Sequence, residues 1–118
     1  MRTSISHIKP YITKDGSEIR ELLHPNQDAV RQQSLAEAVI PPGTSTQLHR
    51  HRLTEEIYHV TSGCGLMTLG DRQFEIGVGD SIAILPGTPH RVENIGNEAL
   101  HILCCCAPAY SHDDTELL

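Results

Sequence analysis

Histidine and carboxylate side chains are crowded into one short stretch of the sequence, LHRHRLTEEIYHVTSGCG, at residues 48–65. The stretch contains three histidines and two glutamates, namely His49, His51, Glu55, Glu56 and His59. Such a cluster forms either a solvated polar face or a metal site, because imidazole nitrogens and carboxylate oxygens are both metal ligands. The elements that carry these residues decide between the two.

A β-strand through the first two histidines would present them on one face. Successive side chains of a strand point to opposite faces, so Gln47, His49 and His51 share one side. The Cα atoms of residues i and i+2 are then roughly 7 Å apart. Their imidazoles can still lean together onto one ion at about 2.1 Å. The pattern is therefore compatible with two metal ligands from one strand.

The next strand follows the turn RLTE and offers two candidate carboxylates. Alternation places Glu56 on the same face as Tyr58, and Glu55 on the same face as His59. We expect Glu56 and Tyr58 to point inward and His59 to lie at the surface.

A second polar segment, GDSIAILPGTPHRVEN at residues 79–94, contains a strand, a Pro/Gly turn and a new strand that His90 opens. His90 adds a third imidazole from a separate part of the chain.

The rest of the sequence predicts an all-β protein. Turn signals recur every eight to twelve residues, and the apolar pattern between them has a period of two, which is typical of an antiparallel sandwich or barrel. We expect strands at these segments: SLAEAVI, IYHV, GLMTL, RQFEI, SIAIL, HRVEN and ALHILCCC. The 118 residues form a single domain by the usual size range.

The two ends of the chain are less regular. Pro10 and Pro25 exclude a continuous central strand over residues 1–30. Within that extension we expect an edge strand at YIT and a short turn at EIRELL. The polar tail at residues 108–118 is expected to lie over the surface.

Composition excludes several classes of function. The net charge of −6 and the near absence of aromatic residues argue against nucleic-acid binding. No segment approaches the roughly 20 apolar residues of a membrane span, and no signal peptide is apparent. We therefore expect a cytoplasmic protein. Cys64 stands alone and three cysteines follow one another at residues 104–106, so we interpret all four as apolar filler in a reducing compartment.

These motifs resemble those of the cupin superfamily of small β-barrels. The first cupin motif is matched by GTSTQLHRHRLTEEIYHVTSG at residues 43–63, and its spacing to the final glycine also selects Glu56 over Glu55. The second motif is matched at four positions, although Leu85 replaces its first proline; the matching residues are Gly79, Gly87, His90 and Asn94. The resemblance implies a double-stranded β-helix, or jelly-roll barrel, over residues 1–118, with its motif core at residues 43–94.

The resemblance also implies which residues bind a metal. His49, His51, Glu56 and His90 would hold one divalent transition metal and leave two positions of an octahedral shell open. Three imidazoles and one carboxylate, without sulfur, suit Fe, Mn, Ni, Co, Cu or Zn. Gln47 and Tyr58 would lie beside it and bind substrate. Tyr58 would also serve catalysis as a general acid or hydrogen-bond donor.

Three functional classes follow from this site: a metal-dependent enzyme, a module that binds or senses a small ligand, and a protein that only holds metal. Within the enzymes, a dioxygenase is our first expectation. A sugar-phosphate isomerase is less favoured, because it needs a cationic clamp and alternation turns Arg91 outward. We expect a small-molecule ligand and a homodimer, since the exposed edge of a small barrel invites pairing with another chain.

Overall fold

The computed structural model describes residues 1–118 as an all-β molecule, which confirms the predicted fold class. A single 3₁₀ turn at Ile5–His7 precedes the strands. There are eleven strands: β1 (Tyr11–Ile12), β2 (Glu18–Leu23), β3 (Ser34–Ile40), β4 (His49–His51), β5 (Glu55–Ser62), β6 (Cys64–Leu69), β7 (Arg72–Gly77), β8 (Ser81–Ile84), β9 (His90–Asn94), β10 (Leu100–Ala107) and β11 (Thr115–Leu117). No helix of the structure is long and apolar enough to span a membrane.

The strands form two antiparallel sheets that face each other. The six-stranded sheet has the order β1-β2-β3-β10-β5-β8, and the five-stranded sheet has the order β11-β4-β9-β6-β7. Along β3 and β9 every second residue is buried, as expected for strands with one face on the core. The core holds aliphatic side chains from both sheets, among them Ile40, Val60, Met67, Ile84 and Leu100.

Two motif glycines occupy backbone conformations that other residues rarely adopt. Gly63 has a φ of 84°, and a Cβ there would lie 2.8 Å from the carbonyl oxygen of Ala99. Gly87 has a φ of 81°, and its N–H donates to the carbonyl of His51 at 2.7 Å. This bond joins the two motifs, so the glycine of one motif helps to place a histidine of the other.

At both ends of the chain the structure has a strand where the sequence predicted none. EIRELL is not a turn but β2, which folds back on the expected edge strand β1 and pairs with β3. Pro10 and Pro25 lie outside this strand, so neither proline removes a hydrogen bond from its pairing. The tail does not simply cover the surface, because β11 pairs with β4 and extends the second sheet.

Candidate metal centre

Three imidazoles meet in the space between the two sheets. His49 and His51 come from β4 and His90 from β9, where His49 and His90 are direct cross-strand partners. Their candidate ligand nitrogens all lie within 4.8 Å of one another, and each residue is at most 3% exposed. The structure thus brings together the three histidines that the sequence singled out.

The protein fixes the tautomer of two of these histidines through main-chain carbonyls. Nδ1 of His49 lies 2.7 Å from the carbonyl of Gln47, and Nδ1 of His90 lies 2.9 Å from that of Thr88. A carbonyl only accepts, so each Nδ1 must carry the proton and each Nε2 keeps a free lone pair. This is the state in which an imidazole binds a metal.

The third histidine reaches the same state through a hydroxyl group. Nδ1 of His51 lies 2.9 Å from Oγ1 of Thr115, and that hydroxyl lies 2.9 Å from the carbonyl of Ser111. The hydroxyl gives its only proton to the carbonyl and therefore accepts from His51. In the neutral imidazole of His51 the lone pair is then on Nε2, as in the other two.

Glu56 supplies a carboxylate from β5 on the facing sheet. Its Oε1 lies 3.2 Å from Nε2 of His51 and 3.6 Å from Nε2 of His90. Its Oε2 accepts a hydrogen bond from the thiol of Cys106 at 3.3 Å. The neighbouring Glu55 is exposed, so the predicted choice of the inward glutamate is confirmed.

The arrangement fits a metal ion because it leaves acceptors facing each other. Oε1 of Glu56 and Nε2 of His90 are buried and have no hydrogen-bond partner. Buried polar atoms of this kind are rare in proteins and costly. A cation that accepts both lone pairs removes the mismatch, so the residues present suit a divalent metal.

Protonation states in the site also favour metal binding. Burial alone would raise the pKa of Glu56, but the adjacent imidazoles of His51 and His90 outweigh burial and hold it at about 2. Burial, followed by the nearness of the His90 imidazole, lowers the pKa of His49. A carboxylate and a neutral imidazole are the forms that coordinate metal.

A small cavity extends from the histidines between the sheets. The volume open to water-sized molecules is about 40 Å³, enough for roughly three waters. Aliphatic side chains form much of its wall, for example those of Ile19, Ile40 and Ile102. Met67 and Ile84 belong to the same core but do not line the cavity.

Tyr58 lines this cavity beside the metal ligands. Its side chain is buried, and its ring centre lies 6.0 Å from that of His90 in an edge-to-face arrangement. Burial, followed by the charge of Glu56, raises the pKa of Tyr58 well above its usual range, so the phenol keeps its proton. The predicted inward orientation of Tyr58 is confirmed, and its role in catalysis stays a prediction.

Gln47 does not point into the cavity as predicted; its side chain is exposed. Strand β4 begins only at His49, so the alternation does not extend back to this residue. The buried neighbour Thr46 lines the cavity instead. Gln47 contributes to the site through its main chain. Its carbonyl accepts a hydrogen bond from Nδ1 of His49, and its N–H donates one to the carbonyl of Asp15.

The sequence analysis missed several cavity residues. Asp15 and Glu21 come from the N-terminal hairpin, and Tyr110 comes from the C-terminal tail. Cys104 and Cys106 also line the cavity, whereas Cys105 is exposed. The alternation within ALHILCCC placed Cys104 and Cys106 on one face, but nothing in the sequence identified that face with the site.

Glu21 is a second buried carboxyl group in the cavity. Its Oε1 accepts from the Tyr11 hydroxyl at 2.8 Å, and its Oε2 is buried without a partner. Burial is the largest influence on Glu21 and raises the pKa of its carboxyl group. Glu21 therefore keeps its proton to a higher pH than an exposed glutamate does.

Comparisons with known proteins agree with this structure. The family model of the cupin domain matches residues 36–106. Protein MJ1618 of Methanocaldococcus jannaschii is 58% identical over all 118 residues, which cover 94% of that protein. An oxalate-binding protein of Thermotoga maritima is 36% identical over 64 residues, about half the length of each chain.

Among solved structures, the chain is similar to a predicted oxalate decarboxylase from Thermotoga maritima. The TM-score is 0.81 at 27% identity, and the match covers 92% of this chain and 99% of the other. The matched residues 36–106 include all four candidate ligands. The protein thus belongs to the cupin family.

Proposed function

We propose that the protein is a metal-dependent enzyme that acts on a small carboxylate. The observation that carries the proposal is the convergence of the three histidine ligand nitrogens, with the Glu56 carboxylate 3.2 Å from one of them, beside a small cavity that His49, His51 and Glu56 line. His49, His51, Glu56 and His90 would hold the ion. A divalent metal there would supply a Lewis acid that polarises a carboxylate or carbonyl oxygen, and a redox-active metal would add electron transfer.

The size and charge of the cavity support a small substrate. A space of about 40 Å³ accommodates a molecule of only a few heavy atoms without rearrangement of the walls. Flavonols and catechols are larger than that. The cavity wall contains no arginine or lysine, which disfavours phosphorylated sugars. A small carboxylate is in keeping with the name of the oxalate-binding relative.

The chain itself supplies proton donors around this space. The Tyr58 phenol keeps its proton because its pKa is raised, and it can donate a hydrogen bond to a substrate oxygen. The Glu21 carboxyl group also lines the cavity, and its Oε2 has no partner within the protein. The aliphatic wall excludes bulk water and so strengthens these hydrogen bonds.

A dioxygenase that acts on a small substrate is the second candidate. The observation in its favour is the donor set of three nitrogens and one oxygen, which is fewer than the six donors of an octahedral shell. Positions beyond the protein ligands would be available to substrate and dioxygen. Both candidates place the substrate in the same cavity and differ in whether dioxygen is consumed.

The first experiment measures metal affinity. We expect wild-type protein to bind one divalent ion, and Glu56→Gln to weaken binding by orders of magnitude because it removes an anionic ligand. Glu55→Gln is the matched control, since Glu55 is exposed on the same strand. Equal affinities of the two variants would contradict the site.

The second experiment tests the reaction. Metal-loaded protein is incubated with oxalate, glyoxylate and other small carboxylates, while carbon dioxide release and oxygen uptake are followed separately. Carbon dioxide without oxygen uptake supports a decarboxylase, and oxygen uptake supports the dioxygenase. Metal binding without turnover or carboxylate binding would contradict the proposed enzyme.

A further inference from the structure

Asp15 lies at the tip of the hairpin that joins β1 and β2. The Gly16 N–H donates to the carbonyl of Thr13 at 3.0 Å and closes the turn, with Gly16 at a φ of 93°. Oδ1 of Asp15 accepts from the Thr13 hydroxyl at 2.7 Å, from the Ser17 N–H at 2.9 Å and from the Ser17 hydroxyl at 2.6 Å. Three donors on one oxygen fix the orientation of this carboxylate.

The other oxygen of Asp15 faces a metal-binding histidine. Oδ2 lies 3.5 Å from Nε2 of His49, and the side chains are 13% and 3% exposed. Nε2 of His49 carries a lone pair because Nδ1 donates to the carbonyl of Gln47. In the neutral imidazole, Nε2 of His49 and Oδ2 of Asp15 are therefore two acceptors that face each other.

This contact repeats the relationship between Glu56 and His90. There, Oε1 and Nε2 are 3.6 Å apart, both buried and both without a hydrogen-bond partner. The two carboxylates approach the histidine cluster through different histidines, Asp15 through His49 and Glu56 through His51 and His90. One cation among the imidazoles would satisfy both mismatched contacts.

Contacts to both neighbouring segments hold the hairpin in place. The Gln47 N–H donates to the carbonyl of Asp15 at 2.8 Å, close to the start of β4. The Lys14 ammonium group donates to the carbonyl of Thr115 at 2.7 Å in the strand on the other side of β4. The Asp15 carboxylate therefore belongs to a turn that hydrogen bonds hold on both sides.

We propose that Asp15 is a fifth metal-binding side chain, which supplies a second carboxylate to the ion held by the three histidines and Glu56. This inference rests on the proposed metal site and deepens it. Two carboxylates balance the charge of a divalent ion, and five protein donors leave one position of an octahedral shell. A small carboxylate would then bind through a single oxygen.

The test compares Asp15→Asn with Asp71→Asn, using Co²⁺ and Mn²⁺ as probes. Asn suits the turn and keeps an acceptor oxygen for the Thr13 and Ser17 donors, but it removes the negative charge. Asp71 is exposed in the turn between β6 and β7 and does not line the cavity. Affinity is measured by competition with a chelator, and coordination is followed by the visible spectrum of bound Co²⁺.

We expect Asp15→Asn to weaken binding of both ions at least about tenfold, the lower end of the effect of removing groups that merely orient a ligand. Its Co²⁺ spectrum should change and its gain in melting temperature on metal addition should shrink. Asp71→Asn should match the wild type in all three. If Asp15→Asn does not fold, Asp15→Ser replaces it, because a hydroxyl can still accept from the turn.

Two results would overturn the inference while the proposed site stands. One is an Asp15→Asn protein with the affinity and Co²⁺ spectrum of Asp71→Asn. The other is a less stable metal-free protein with unchanged metal affinity, which would mean that Asp15 only pairs with a protonated His49. Wild-type protein that binds neither ion would instead overturn the metal site itself, and the inference with it.

Discussion

The Thr115 hydroxyl accepts a hydrogen bond from Nδ1 of His51 at 2.9 Å and donates its own proton to the carbonyl of Ser111. A residue near the end of the chain thereby sets the tautomer of a candidate ligand 64 positions earlier. The pairing of β11 with β4 makes this contact, since Thr115 and His51 are direct cross-strand partners. The C-terminal strand is therefore part of the candidate metal site.

We expect Thr115→Val to weaken metal binding about 10–100-fold, as is usual when a group that orients a metal ligand is lost. Valine has a similar shape but offers no acceptor to the buried Nδ1–H of His51. That unpaired donor also costs about 1–3 kcal/mol of stability. Competition with a chelator measures the first effect, and thermal unfolding of metal-free protein measures the second.

Two further variants isolate the hydroxyl group. Thr115→Ser keeps the acceptor and should retain most of the wild-type affinity. Thr61→Val makes the same change at an exposed position of β5 and should leave metal binding unaltered. A Thr115→Val protein that binds metal as tightly as Thr115→Ser would show that His51 needs no orienting partner.

The positions of the four candidate ligands could be predicted because they follow local rules. Alternation along a strand turns His49 and His51 to one side and separates Glu56 from Glu55. The glycines of the cupin motifs mark turns, such as the one at Gly87 that ends beside His90. These relationships involve neighbours in the sequence, so pattern and resemblance were sufficient to find them.

The remaining cavity residues could not be predicted because their positions depend on distant pairing. Asp15 reaches His49 only because the N-terminal hairpin stands against the start of β4. Likewise Thr115, which lies outside the cavity wall, reaches His51 because the tail adds a strand to the second sheet. The prediction for Gln47 was wrong for a different reason. It assumed that the alternation of side chains holds before His49, where β4 begins.

Glu21→Gln should make the protein more stable at neutral pH and change little in acid. Burial raises the pKa of Glu21 in the folded state. A raised pKa contributes stability that is fully present below the pKa of the unfolded chain and is lost as the pH rises through the folded value. Gln keeps the acceptor for the Tyr11 hydroxyl but has no charge to bury.

Melting temperatures from about pH 4 to pH 8, a range that spans the ordinary pKa of glutamate, test this expectation. The advantage of Glu21→Gln over wild type should grow with pH to a few degrees. Glu75→Gln, at an exposed site on β7, should follow the wild type throughout. A constant difference between wild type and Glu21→Gln at all pH values would mean that Glu21 titrates normally.

The expected homodimer is also a proposal with a direct test. Strand β1 lies at an edge of the six-stranded sheet, and its Ile12 is 67% exposed. An uncovered edge with an apolar side chain favours pairing with another chain. Light scattering at tens of micromolar should give the mass of a dimer. Ile12→Glu should shift it toward a monomer, whereas Val78→Glu, at another exposed apolar position, should not.

Tyr58→Phe should impair ligand binding or turnover much more than folding. The ring packs beside His90 and phenylalanine preserves that packing, so the loss of stability should stay near the ~1 kcal/mol of one hydrogen bond. If the phenol stabilises charge that develops on the substrate, its removal should slow the reaction roughly 10²–10³-fold. Tyr11→Phe is the comparison variant, because it removes a hydroxyl that bonds to Glu21.

Before a substrate is known, binding of formate or oxalate to metal-loaded protein provides a substitute for the rate. The Tyr58 hydroxyl should strengthen that binding, so the Phe variant should bind either anion more weakly than wild type and Tyr11→Phe should not. Equal anion affinities together with a large fall in melting temperature would make Tyr58 a packing residue. Glu21, whose pKa is raised by burial in the same cavity, would then be the remaining proton donor to test.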